Sequence, residues 1–121
     1  MTLGTWLLVA LLGGAGAIAR FVVDGVVGER VAGPFPWGTF AINISGAVLL
    51  GALTGAAVSG NDSILAGTAT IGSYTTLSTW MLESHRLGQD DQRGVALANL
   101  LGSLVLGFAA VSLGHAVGVA L

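Results

Sequence analysis

Nine consecutive positions, Gly72-Ser73-Tyr74-Thr75-Thr76-Leu77-Ser78-Thr79-Trp80, hold five Ser and Thr hydroxyls inside an otherwise apolar segment. At helical spacing Gly72, Thr75, Thr76, Thr79 and Glu83 share one face. Thr39, Asn43 and Gly46 form a second such stripe, and Asn99 and Ser103 repeat the i, i+4 relation. Unpaired polar groups in lipid are costly, so polar faces at membrane depth turn toward a bundle interior or a watery path. A single Ser or Thr can return its hydroxyl to the carbonyl of the preceding turn, which is the bland account of each one alone. Asn43 cannot satisfy its amide so locally. The chemistry on offer is that of neutral donors: amide N–H, hydroxyls and aromatic ring edges. That inventory suits passive conduction of an ion better than proton-coupled pumping or bond-making. His85 and His115 have no carboxylate or nucleophile at an evident spacing, so no enzymatic constellation emerges and the chain reads as a non-enzyme.

These faces need elements to carry them. The chain has 121 residues, is 54% hydrophobic and 8% charged, and has a mean hydropathy of +0.88, the composition of an integral membrane protein. Its charged side chains divide it into four uncharged stretches, Met1–Ala19, Val31–Asn61, Ser63–Leu82 and Gly94–Leu121. Each can hold the roughly 20 residues that cross a bilayer core. The expected fold is all-α: one domain over 1–121 with four membrane helices at about 3–23, 38–58, 64–83 and 94–119. Connections fall at Pro34 and Pro36, at Ser59-Gly60-Asn61-Asp62, and at the polar Ser84–Arg93 stretch. Met1 and Thr2 supply no basic region, so the first stretch reads as a membrane helix and not a cleaved signal. With no Cys there is no thiolate chemistry, and with no Lys and four Arg there is no basic face for nucleic acid.

Gly51 with Gly55, and Gly114 with Gly118, have the four-residue spacing that lets helix backbones approach closely. They pack either an oligomer or the chain against itself. All four Arg fall in or next to the first and third connections of this scheme, Arg20 at the adjoining end of the first helix, and the positive-inside rule places those connections in the cytoplasm, with both termini outside. Arg20, near the end of the first helix, either snorkels to the interface or draws anions into a vestibule.

Three motifs in order carry a resemblance over nearly the whole length. They are Gly13-Gly14-Ala15-Gly16-Ala17 with Arg20; Gly38-Thr39 with Asn43, Gly46 and Gly51; and the Gly72–Trp80 run with Glu83. On them the chain resembles the CrcB/Fluc fluoride channel family. The resemblance implies a multi-pass protein of the bacterial plasma membrane and an antiparallel, dual-topology-type dimer. Each subunit has four helices, the third broken, and fluoride leaves the cytoplasm passively through two pores. It implies a structural, non-transported sodium ion at the dimer centre, held by backbone carbonyls at the positions of Gly72 and Thr75. It implies Asn43 as a pore donor, Ser78, Thr79 and Ser103 along a polar track, and Arg20 in the aqueous vestibule. Where the family has two Phe around the path, this chain has Leu77 and Trp80. Leu77 offers no ring quadrupole, whereas Trp80 keeps a polarised edge and adds an indole N–H. These departures, with the arginine bias, point to pairing with a paralogue of opposite orientation, the alternative being a self-sufficient homodimer. A small multidrug-type exporter would need a carboxylate in its first helix, and Met1–Ala19 contains none. A non-transporting membrane assembly protein would explain the glycines but not Asn43 and the hydroxyl face.

Overall fold

The computed structural model describes residues 1–121 and is built of helices without strands. Helix α1 runs Leu3–Arg30, opened by Thr2, whose Oγ1 accepts the Thr5 N–H at 3.2 Å. It extends well past Val23, carrying Arg20, Asp24, Glu29 and Arg30 within the helix. Charge ends the apolar stretch, but nothing in it stops the hydrogen-bond ladder. The ladder closes at Val31 on the Val27 carbonyl, just before Gly33, whose φ is +120°, and Pro34.

Helix α2 spans Trp37–Gly55 and stops three residues short of Val58. Ala57 adopts a left-handed φ of +58°, Val58 N–H closes on the Leu53 carbonyl and Ala57 N–H on that of Thr54, the pattern of a Schellman cap. The residue there is Ala, so the usual glycine signal is missing from the sequence. The third segment begins at Gly60, inside what reads as a turn. It comprises α3 (Gly60–Ser63), a π-helical stretch (Ile64–Ile71) and α4 (Gly72–Tyr74), one continuous rod. In the π stretch, Gly72 N–H bonds the Gly67 carbonyl and Thr70 Oγ1 donates to the Leu65 carbonyl at 2.9 Å, both five residues back. The rod breaks at Thr75, whose ψ of 160° is extended, and resumes as α5 (Ser78–Gln89). The Ser84–Arg93 stretch is therefore mostly helix. Only Asp90–Gln92 separate α5 from α6 (Arg93–Ala120), the turn made by Asp91 at φ +59°.

Close backbone approach holds the bundle together. A Cβ added at Gly51 or Gly55 would overlap the carbonyls of Val111 and His115, and one at Gly114 or Gly118 those of Val48 and Ala52. Both glycine pairs are thus consumed between α2 and α6 of the same chain, which settles the choice left open by their spacing. Gly16 sits against the Thr70 carbonyl in the same way, and a Cβ on Gly13 would lie 3.3 Å from Ser73 Oγ, docking α1 on the broken segment.

Helices α1, α2 and α6 are long and apolar enough to cross a membrane. Only 16 of 121 residues are buried, while Leu7, Leu11, Phe21, Leu49, Leu104 and Leu113 face outward. Helices apolar on all sides and this exposed need lipid or another subunit around them.

Candidate functional site

The site forms where the third segment breaks. In an unbroken helix Thr76 N–H would close on the Gly72 carbonyl and Thr79 N–H on that of Thr75. Both amides are diverted. Thr76 N–H donates to Asn43 Oδ1 at 2.8 Å, and Thr79 N–H to Thr76 Oγ1 at 3.2 Å. Asn43 Nδ2 completes the first arrangement by donating to the Thr76 carbonyl at 2.8 Å. One side chain on α2 thereby pairs with both main-chain groups of a single residue. Its amide, which had no local partner in α2, finds one across the bundle.

Around the break, small side chains let the elements meet. A Cβ on Gly46 would collide with Thr75 Cγ2, and the Ser45 and Tyr74 hydroxyls share a hydrogen bond of 2.9 Å. Thr75 Oγ1 returns to the Ile71 carbonyl at 3.1 Å, the bland fate for a helical hydroxyl. On the far side of α5, buried Thr39 donates through Oγ1 to Glu83 Oε1 at 2.5 Å. Trp80 Nε1–H donates to the Asn99 carbonyl at 3.1 Å, which directs the indole N–H at the α6 backbone.

A half-open groove of about 770 Å³ brings together Asn43, Gly72, Thr75, Leu77, Trp80 and Ser103, with Thr76, Gly107 and Phe108 beside them. Ser78, Thr79 and Arg20 are not in its lining. Ser78 is exposed at the start of α5, Thr79 follows it with its N–H on Thr76, and Arg20 is half-buried on α1, one turn beyond Gly16. Leu77 is 67% exposed and Phe108 74% exposed, so the groove's outer wall is unpartnered aromatic and aliphatic surface.

Two contributors, Ser84 and Phe108, were not singled out by their sequence context, and two others, Thr76 and Asn99, stood in the polar stripes without an assigned role. Thr76 caps α5 and receives Asn43, Ser84 and Asn99 hydrogen-bond to each other at 2.8 Å in the interior, and Phe108 brings a ring to the groove. Asn99 at i−4 from Ser103 was the available signal for the buried pair. Phe108 had none, being one apolar residue among many on α6. The donor set of the groove is neutral throughout: amide, hydroxyl and main-chain groups.

Residues 7–115 match the family model described as CrcB-like protein, Camphor Resistance (CrcB). The chain is 55% identical over 114 residues to "Fluoride-specific ion channel FluC 2" of Mycolicibacterium paratuberculosis, covering 94% of this chain and 93% of that one. It is 52% identical to the protein of the same name from Mycobacterium bovis, covering 95% and 91%. Against "Fluoride-specific ion channel FluC 1" of Symbiobacterium thermophilum the identity is 39%, covering 94% and 97%. With the family model matching nearly its whole length, and with the break and the Asn43 clamp built from the Gly72–Trp80 and Gly38–Gly51 motifs, this chain belongs to the CrcB family.

Proposed function

We propose that this chain is a subunit of a passive fluoride channel in the bacterial plasma membrane, crossing it four times, with the broken α3–α5 segment as its third crossing. The reading rests on the diversion of Thr76 and Thr79 N–H from the helix ladder beside a groove of neutral donors. Fluoride is small and strongly hydrated, so a selective path must replace its water with closely spaced donors. Asn43 keeps one Nδ2 hydrogen beyond the one given to Thr76, and Ser103 lines the groove with a hydroxyl whose hydrogen is directed to Asn99 Oδ1 over 3.4 Å, a long bond for which an anion can compete. The relatives' names, at 52–55% identity, state the same specificity.

The half-open groove and the exposed Leu77 and Phe108 favour a second subunit that completes the path, in an antiparallel dimer. The occurrence of relatives numbered FluC 1 and FluC 2 fits a pair of paralogues, and the bias of Arg20, Arg30, Arg86 and Arg93 to one side of the bundle fits a fixed orientation, with export from the cytoplasm. A structural sodium ion suits the break. The Gly72 and Thr75 carbonyls have lost their helical donors to Asn43 and Thr76, and hard cations take oxygen ligands. When bound there, the ion would neutralise main-chain oxygens at membrane depth and hold the break open.

Fluoride efflux from liposomes, with a chloride control, tests the reading on this chain alone and mixed with a paralogue from the same genome. Fluoride release without chloride release in either preparation supports it. Failure in both removes it.

A further inference from the structure

The hydrogen bonds around Trp80 close into a circuit between α5 and α6. Trp80 Nε1–H donates to the Asn99 carbonyl at 3.1 Å, Asn99 Nδ2 donates to Ser84 Oγ at 2.8 Å, and Ser84 Oγ donates to the Trp80 carbonyl at 2.9 Å. Asn99 is fully buried at 0% exposure, and its Oδ1 also accepts from Ser103 Oγ at 3.4 Å. Each of the three bonds thus engages two members of the circuit, and Ser103 answers the remaining Asn99 oxygen. Swinging the indole toward the groove would strip its N–H of an acceptor in apolar surroundings, where an unmade hydrogen bond is expensive.

We infer that Asn99 and Ser84 are positioning residues that hold the Trp80 indole N–H on the α6 backbone, so that Trp80 offers a permeating anion the carbon-bound edge of its ring and not its N–H. The inference deepens the channel reading and rests on it. An aromatic edge is a weak, diffuse positive surface, whereas a free indole N–H is a full hydrogen-bond donor. Conduction requires binding favourable enough to admit an ion and weak enough to release it. Committing the N–H elsewhere removes the grip while keeping the edge. Trp80 then acts electrostatically as a larger Phe, and the side chains that make it so, Ser84 on α5 itself and Asn99 on α6, are outside the groove's lining.

Two measurements test this. In fluoride efflux, Trp80→Leu is expected to slow transport about three- to tenfold, the worth of an aromatic edge interaction, and Trp80→Phe to recover most of that loss. Recovery by Phe is the result expected if the ring edge acts, and Trp80→Phe as slow as Trp80→Leu would assign the work to the N–H and overturn the inference. The second readout is the indole N–H resonance of Trp80, identified among the three tryptophans by its loss in Trp80→Phe. It should resist solvent exchange, exchange faster in Ser84→Ala, and show no scalar coupling to fluorine when sodium fluoride is added. Coupling to fluorine, or exchange indifferent to Ser84→Ala, would overturn the inference. Because the exchange measurement needs no transport, it decides the circuit even for a chain that moves no fluoride, an outcome that would strike the channel reading instead.

Discussion

Asn43 gives one N–H and receives another at the same residue, so toward Thr76 it imitates a neighbouring strand. Replacing it with Asp keeps an acceptor for Thr76 N–H but sets an anionic oxygen against the Thr76 carbonyl. Asn43→Asp is therefore expected to lower stability by about 1–3 kcal/mol and to cut fluoride efflux at least tenfold, read by thermal unfolding in detergent and by liposome efflux. Thr39 and Glu83 make a second pair worth separating. Glu83→Gln retains an oxygen for the Thr39 hydroxyl, whereas Thr39→Val buries a methyl against an abandoned carboxylate. The valine variant should be the less stable of the two, by about 1 kcal/mol, because the half-buried Glu83 carboxyl loses its hydroxyl donor. At this scale the sequence told which polar side chains matter better than what they do. Asn43 stood out because its amide had no local partner, yet its visible partner is a main chain 33 residues away, which no pattern of spacing reveals. The extra donor expected of Trp80 is spent on Asn99, a contact between helices that have no shared motif.

Among elements, the α2–α6 contact depends on four glycines facing four carbonyls. Gly51→Ala or Gly114→Ala drives a methyl into a main-chain oxygen that cannot rotate away, so the helices must separate. Each should cost about 1–3 kcal/mol in thermal unfolding, and their combination should not be additive because both act on one seam. Gly25→Ala, where nothing lies within 4 Å, should instead be neutral or stabilising by up to about 1 kcal/mol from helix propensity alone. The helices themselves were legible because long apolar stretches admit little else in lipid. Their ends were less so. Charge marked the end of hydrophobicity in α1 but not of the helix, and Ala57 and Asp91 turn the chain with left-handed backbone where glycine would have announced it. Spacing named the glycine pairs, and only the packing showed them turned inward.

For the whole molecule, a groove walled on one side by exposed Leu77 and Phe108 sets up a test of assembly. The chain has no Cys, so Leu77→Cys labels one position cleanly. If a second subunit covers the groove, a thiol reagent should reach this position slowly in assembled protein and rapidly once the complex is dissociated, with a difference of about tenfold or more. Equal rates would mean that the outer wall faces lipid or water. The π-helical stretch before the break bears on the same architecture. Its bonds reach five residues back, which makes room for one residue more than an α-helical ladder over the same rise would hold. Deleting Gly67, whose surroundings are open, would let the ladder shorten to the ordinary spacing. The residues after it would then keep nearly the same direction about the helix axis, because the stretch gives up only the residue it held in excess. Gly72 and Thr75 would stay on the groove, and Asn43 would still face Thr76. The stretch works as slack in the residue count: losing one residue there should leave the protein working, whereas losing one from an α-helical ladder such as Ser78–Gln89 should turn everything beyond it by about 100° and silence the protein while leaving it helical.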